Sequence, residues 1–131
     1  MLIFGHKLIE TPKFHLINNE NANFKESINC FEYDENLIEK ALKESVKFAI
    51  LAKNEDEILL ANALKAEFIL LENENLAKKA SKMAEFYLFD SKILLITNSL
   101  KKLEKAYKMG VDGVILKELL QEIPIRKAIT F

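Results

Sequence analysis

The sequence is poor in glycine, cysteine, arginine and histidine, and each shortage removes a class of function. Three glycines, Gly5, Gly110 and Gly113, stand in 131 residues. Backbone cradles for phosphate or dinucleotide need glycine where the chain approaches the ligand. None falls in a predicted strand-to-helix loop. The single cysteine, Cys30, excludes an internal disulfide and a cysteine-based zinc site within one chain. A reducing, cytoplasmic setting is expected. Arg126 is the only arginine among 19 basic residues, so a bidentate guanidinium clamp on phosphate or carboxylate is nearly unavailable. His6 and His15 are the only histidines, and nothing near them has metal-ligand spacing. No metal and no cofactor are expected. No run approaches the ~20 apolar residues that span a bilayer. The opening stretch MLIFGHKLIETPKF has no basic n-region and no sustained apolar h-region, so no leader peptide is expected. Nineteen Lys+Arg against 20 Asp+Glu leave a net charge of −1. Neither a nucleic acid nor a membrane surface is expected as a partner.

What is present is core material. Half of the residues are hydrophobic, and the length fits one domain. From about Ser27 onward the chain repeats one rhythm. Short apolar runs begin at Phe48, Phe68, Ile93 and Gly113, spaced by 20, 25 and 20 residues. Amphipathic stretches lie between them. One covers residues 75 to 89, with Leu76, Ala80, Met83, Ala84 and Tyr87 on a single stripe. Another places Leu100, Leu103, Ala106 and Tyr107 on one face. Earlier segments carry Leu37, Ile38, Ala41 and Leu42, then Ile58, Ala61 and Leu64. Met83, Tyr87 and Tyr107 follow helical spacing and read as core. This alternation predicts an α/β domain with a mostly parallel sheet of about five strands, flavodoxin-like or half-barrel-like.

The junctions agree with this reading. Asp34, Asn54 and Ser99 stand where strands hand over to helices, and each side chain can cap an N-terminus. Lys108 and Gly110 close a helix, with a cation in its last turn and a residue tolerant of positive φ. The apolar runs do not alternate, so both sheet faces must be covered. In a half-barrel, helices cover one face only. A homodimer is expected to cover the other. The mixed run Ser27 to Tyr33 suggests an edge strand.

Three segments complete the chain: residues 1–26 as irregular N-terminal strands and a loop, 27–117 as the repeating core, and 118–131 as a C-terminal extension. In the first segment Leu2-Ile3-Phe4 and Phe14 to Ile17 can form short strands around a turn containing Pro12. In the last, Ile125 to Phe131 can form one more strand.

Two resemblances attach to particular stretches. Ala106 to Leu116, reading AYKMGVDGVIL, resembles the late helix–turn–strand of (β/α)8-barrel enzymes. LANALKAEFILLE, residues 60 to 72, is similar in the same way. A whole barrel needs roughly 200 residues or more, and these motifs are shared with doubly wound folds, so the likeness implies about half a barrel or a flavodoxin-like sheet. Barrel enzymes often carry a Gly-rich phosphate loop after a late strand. Here Lys117-Glu118-Leu119-Leu120-Gln121 follows instead. The stretch from Lys47 to Leu116, with EFYLFDSKILLI at residues 85 to 96, resembles a family of small α/β proteins of epsilon-class proteobacteria. That likeness implies a fold and carries no activity with it.

Ligands of parallel sheets sit beyond the carboxyl ends of the strands. The residues predicted there include Glu32, Asp34, Lys53, Glu72, Thr97, Asn98 and Lys117. Lys53 between Glu32 and Glu72, with Asp34 near, is a pattern for Schiff-base or general-base chemistry, because burial and neighbouring charge tune a lysine pKa. The plainer alternative is a set of caps and surface ion pairs. Thr97-Asn98-Ser99 at a helix start, with Lys117, can hold an anion or simply cap. Cys30 reads as a small buried hydrophobe ahead of a nucleophile. His6 and His15 face each other only if their strands pair. The expected function is a small cytoplasmic non-enzymatic binding or interaction module, self-associating, with its small-molecule ligand left open. The alternative is a small or vestigial half-barrel enzyme that uses the lysine and carboxylates at the strand ends.

Overall fold

Three side chains set the rhythm of the chain. Asp34 accepts hydrogen bonds from the N–H groups of Asn36 and Leu37 at 2.9 and 3.1 Å, and so starts helix α1 (Glu35–Lys43). Asn54 accepts from Glu57 N–H at 2.9 Å and starts α2 (Glu55–Ala63). Asn73 accepts from Leu76 N–H at 2.8 Å and starts α3 (Glu74–Tyr87). Each satisfies backbone donors that a first turn leaves unpaired. The fourth helix, α4 (Leu103–Met109), ends at Gly110, whose φ of 82° is the left-handed turn expected of it.

The computed structural model describes residues 1–18 and 25–120. The strands are β1 (Leu2–Phe4), β2 (Phe14–Leu16), β3 (Ile28–Glu32), β4 (Phe48–Leu51), β5 (Phe68–Leu71), β6 (Lys92–Thr97) and β7 (Gly113–Leu116). They form one parallel sheet in the order β1-β7-β6-β5-β4-β3-β2. The sheet thus has seven strands instead of about five. The two further strands are the N-terminal segments expected outside the repeat; each is three residues long, and they join the sheet at its edges, β1 by pairing with β7 and β2 with β3. β1 and β2 lie at opposite edges, so the first two strands do not pair with each other. β3 is interior, flanked by β2 and β4, and the expected edge position passes to β2. From β2 to β7 the strand order never reverses, which is the half-barrel alternative and not the flavodoxin-like one.

The sheet curls strongly. Seven flat strands would hold their edges roughly 29 Å apart, at about 4.8 Å per spacing. Yet the rings of Phe4 in β1 and Phe14 in β2 stand 5.6 Å apart, and Phe68 of β5 meets both at 5.6 and 5.8 Å. Curling closes an inner core of Cys30, Ala49, Leu70, Leu94 and Ile115. Alternate residues face outward beneath the helices, among them Phe31 stacked on Phe48 at 5.9 Å. Both faces are buried, as the non-alternating runs require. The second face finds its cover within one chain, so the premise for a covering partner subunit is not met.

Small devices hold the amino ends of the strands. Asp112 accepts from Ile93 N–H at 2.7 Å, and its carbonyl accepts from Leu2 N–H at 2.9 Å, which ties β6, β7 and β1 together. Ser91 donates to the Ala66 carbonyl at 2.6 Å. A Cβ on Gly113 would overlap the Leu2 carbonyl oxygen, so close packing with β1 demands glycine there. Tyr87 and Tyr107 are not core. They are 62% and 74% exposed, because α3 seats on the sheet through Ala77, Ala80 and Ser81 and α4 through Ala106 and Met109. Met83 is half-buried against the outer core.

Candidate functional site

The carboxyl ends of the strands gather at one mouth of the half-barrel. A 3-10 turn, Lys117–Leu120, follows β7 across this mouth and packs against β2. Leu120 is its buried residue and joins the inner core. Gly5 also lies here, directly after β1. Its φ is 125° and a Cβ would sit 2.7 Å from the Leu116 side chain. One glycine therefore does reach the carboxyl edge, where it lets β1 turn away beside β7.

The predicted charged residues come to this rim but do not converge. Lys53 Nζ lies 3.0 Å from Glu32 Oε1, with both side chains about two-thirds exposed at 64% and 66%. The Lys53 N–H donates to Glu57 Oε1 at 2.9 Å. The hydrogen bond and charge of Glu32, with the charge of Glu57 adding, push the Lys53 pKa up. An ammonium held this way is charged at neutral pH, the opposite of what Schiff-base or general-base work needs. Glu72 belongs to a different pair, 4.0 Å from Lys117 and also exposed. Lys53 follows the strand between those of Glu32 and Glu72, as expected, but its ammonium pairs with Glu32 while Glu72 pairs with Lys117. Asp34 spends its carboxylate on the first turn of α1.

Thr97, Asn98 and Ser99 do not start a helix. The Thr97 hydroxyl donates to the Ser99 carbonyl at 2.9 Å, and Ser99 Oγ accepts from Lys101 N–H at 3.0 Å. These bonds shape a polar turn, and α4 begins only at Leu103. Ser99 is thus no helix cap. The turn satisfies the Lys101 N–H within itself and offers no first helical turn for an anion.

The histidines belong to the segments of the two edge strands. His6 lies beyond β1 and its Nδ1 accepts from Leu8 N–H at 3.0 Å. His15 is in the opposite edge strand, where burial, and then Lys13, lower its pKa. Cys30 is wholly buried, and burial pushes its thiol up to about 12. A thiol so placed is no nucleophile at neutral pH.

Two adjoining cavities open at the mouth, each of about 490 Å3. The first is lined by Leu16, Leu51, Ile96 and Leu120, with Glu72, Asn98, Lys117 and Glu118 around them. The second is walled by Phe31, Tyr33 and Leu37, with Glu32, Asp34 and Asn18. Leu16, Leu51 and Glu72 line both, so the two are lobes of one groove. Of the predicted residues, Asn98, Lys117, Glu32, Asp34 and Glu72 reach it. Its apolar side chains were missed by attention to charge. Leu16, Leu51 and Ile96 occupy the last inward positions of their strands, a parity readable once the register is known.

Among the described residues no group of three His, Cys, Asp or Glu is placed to hold a metal ion. No described helix is long and apolar enough to cross a membrane. The chain matches no protein-family model and no curated protein.

Proposed function

We propose that the protein is a small non-enzymatic binding module, working in the cytoplasm, which holds a small molecule in the groove at the carboxyl mouth of its half-barrel. One observation carries this reading. The groove is apolar along Leu16, Leu51, Ile96 and Leu120, while Glu32, Glu72, Lys117 and Asp34 at its rim are engaged in exposed pairs or caps. Cavities of this size and position are where parallel sheets take ligands. A catalytic reading needs a reactive group in the groove. The raised pKa of Lys53 and the buried thiol of Cys30 work against the two available candidates. Self-association lacks an uncovered sheet face to draw on, and the groove takes its place as the functional surface.

Methyl-detected NMR tests the reading with 1-octanol as the probe. Saturable shifts are expected at Leu16, Leu51, Ile96 and Leu120, with the outer-core methyls of Ile58 and Val114 unmoved. Octanol that shifts no methyl at the mouth, at any concentration short of denaturation, disproves it.

A further inference from the structure

The groove is asymmetric in charge and in wall chemistry. Four carboxylates, Glu32, Asp34, Glu72 and Glu118, line its two lobes against one cation, Lys117. Two of the four are engaged nearby, Glu32 with Lys53 and Asp34 with the first turn of α1. Glu72 is the carboxylate common to both lobes, and its own partner stands at the long distance of 4.0 Å. The second lobe adds the Tyr33 ring beside these acids, while Phe31 there is sealed against Phe48. Carboxylate together with an aromatic ring favours an organic cation. The helix starts at the same mouth disfavour an anion, because the first turns of α1, α2 and α3 carry Glu35, then Glu55, Asp56 and Glu57, then Glu74. Their caps Asp34, Asn54 and Asn73 also take part of the first-turn N–H groups.

Resting on the binding reading above, we infer that the ligand class is an amphipathic organic ammonium. Its cation stands at Glu72 on the Tyr33 side, and its apolar chain lies over Leu16, Leu51 and Ile96. Glu72 is the specificity-determining residue. The leucines supply affinity that does not depend on charge.

The test titrates n-octylammonium, 1-octanol and octanoate into methyl-labelled protein, each below its aggregation concentration. Octylammonium is expected to bind about fivefold more tightly than octanol, as one part-exposed ion pair allows, with octanoate weakest. The preference should shrink as salt is raised. Glu72→Gln, at an exposed position, should bring octylammonium down to the affinity of octanol. Equal binding of octylammonium and octanol to the unmodified protein overturns the inference and leaves the apolar groove standing. So does a preference that survives Glu72→Gln. If none of the probes shifts Leu16, Leu51 or Ile96, the binding reading itself falls, and this inference with it.

Discussion

Gly113 shows how little room one position can leave. It faces Leu2 across the β1–β7 pairing, and a methyl group there would overlap Leu2 backbone and side chain. Gly113→Ala is expected to destabilise the protein by about 1–3 kcal/mol, the usual range for overpacking. Urea unfolding measures this, and amide exchange should show β1 released first. Cys30 makes a second local statement. Its thiol stays protonated in the fold up to about pH 12, against an ordinary value of 9.0. Below pH 9 the thiol is neutral folded or unfolded and costs nothing. Above it only the unfolded chain loses the proton, so stability falls as pH rises toward 12. At about pH 10.5 this amounts to roughly 2 kcal/mol. Cys30→Ala should flatten that part of the pH dependence, seen as a smaller drop in urea midpoint between pH 8 and 10.5. An equal drop in both proteins would refute the assignment.

The helices divide into three with side-chain caps and one without. Asn73→Ala removes the bond to Leu76 N–H and should cost about 1 kcal/mol. Ser99→Ala touches a turn ahead of α4 and should cost less than about 0.5 kcal/mol. Thermal melts of the two variants decide whether the polar turn at Thr97 to Ser99 acts as a cap. The caps at Asp34 and Asn54 are plain in the sequence, since each precedes an acidic first turn. The exposure of Tyr87 is not. It is the last residue of α3, and its ring meets Phe86 edge-on at 4.8 Å with no core above it. Helical spacing identifies a stripe, but it does not say where along the stripe the sheet ends.

The molecule as a whole depends on its curl. Phe68 is the ring on which both sheet edges converge. Phe68→Ala should cost about 3–5 kcal/mol. It should also raise exchange at β1 and β2 more than at β5, because those three-residue edges lose their common contact. Exchange raised evenly across the sheet would contradict this. The same curl makes the candidate site. Leu16 at one edge, Leu51 near the middle and Leu120 on the closing turn line one groove only because the edges have approached.

Strand–helix alternation, parallel pairing and burial on both faces follow from the sequence, because apolar runs without alternation, spaced by one βα unit, admit little else. Glu32, Asp34, Glu72 and Lys117 were also placed at the carboxyl ends, since strand ends can be counted along the chain. The strand order, the joining of the two N-terminal strands to the sheet edges and the self-covered inner face could not be counted. They arise from long-range pairing, β1 with β7 and the ring of Phe4 with that of Phe14, and no local periodicity reports contacts across so many residues. Lys53 beside Glu32 is an expectation of the sequence, whereas the pairing of Glu72 with Lys117 is set by the curled sheet. Each distance is set by the sheet's register and curvature, and these decide whether neighbouring charges form a reactive site or stand as separate ion pairs.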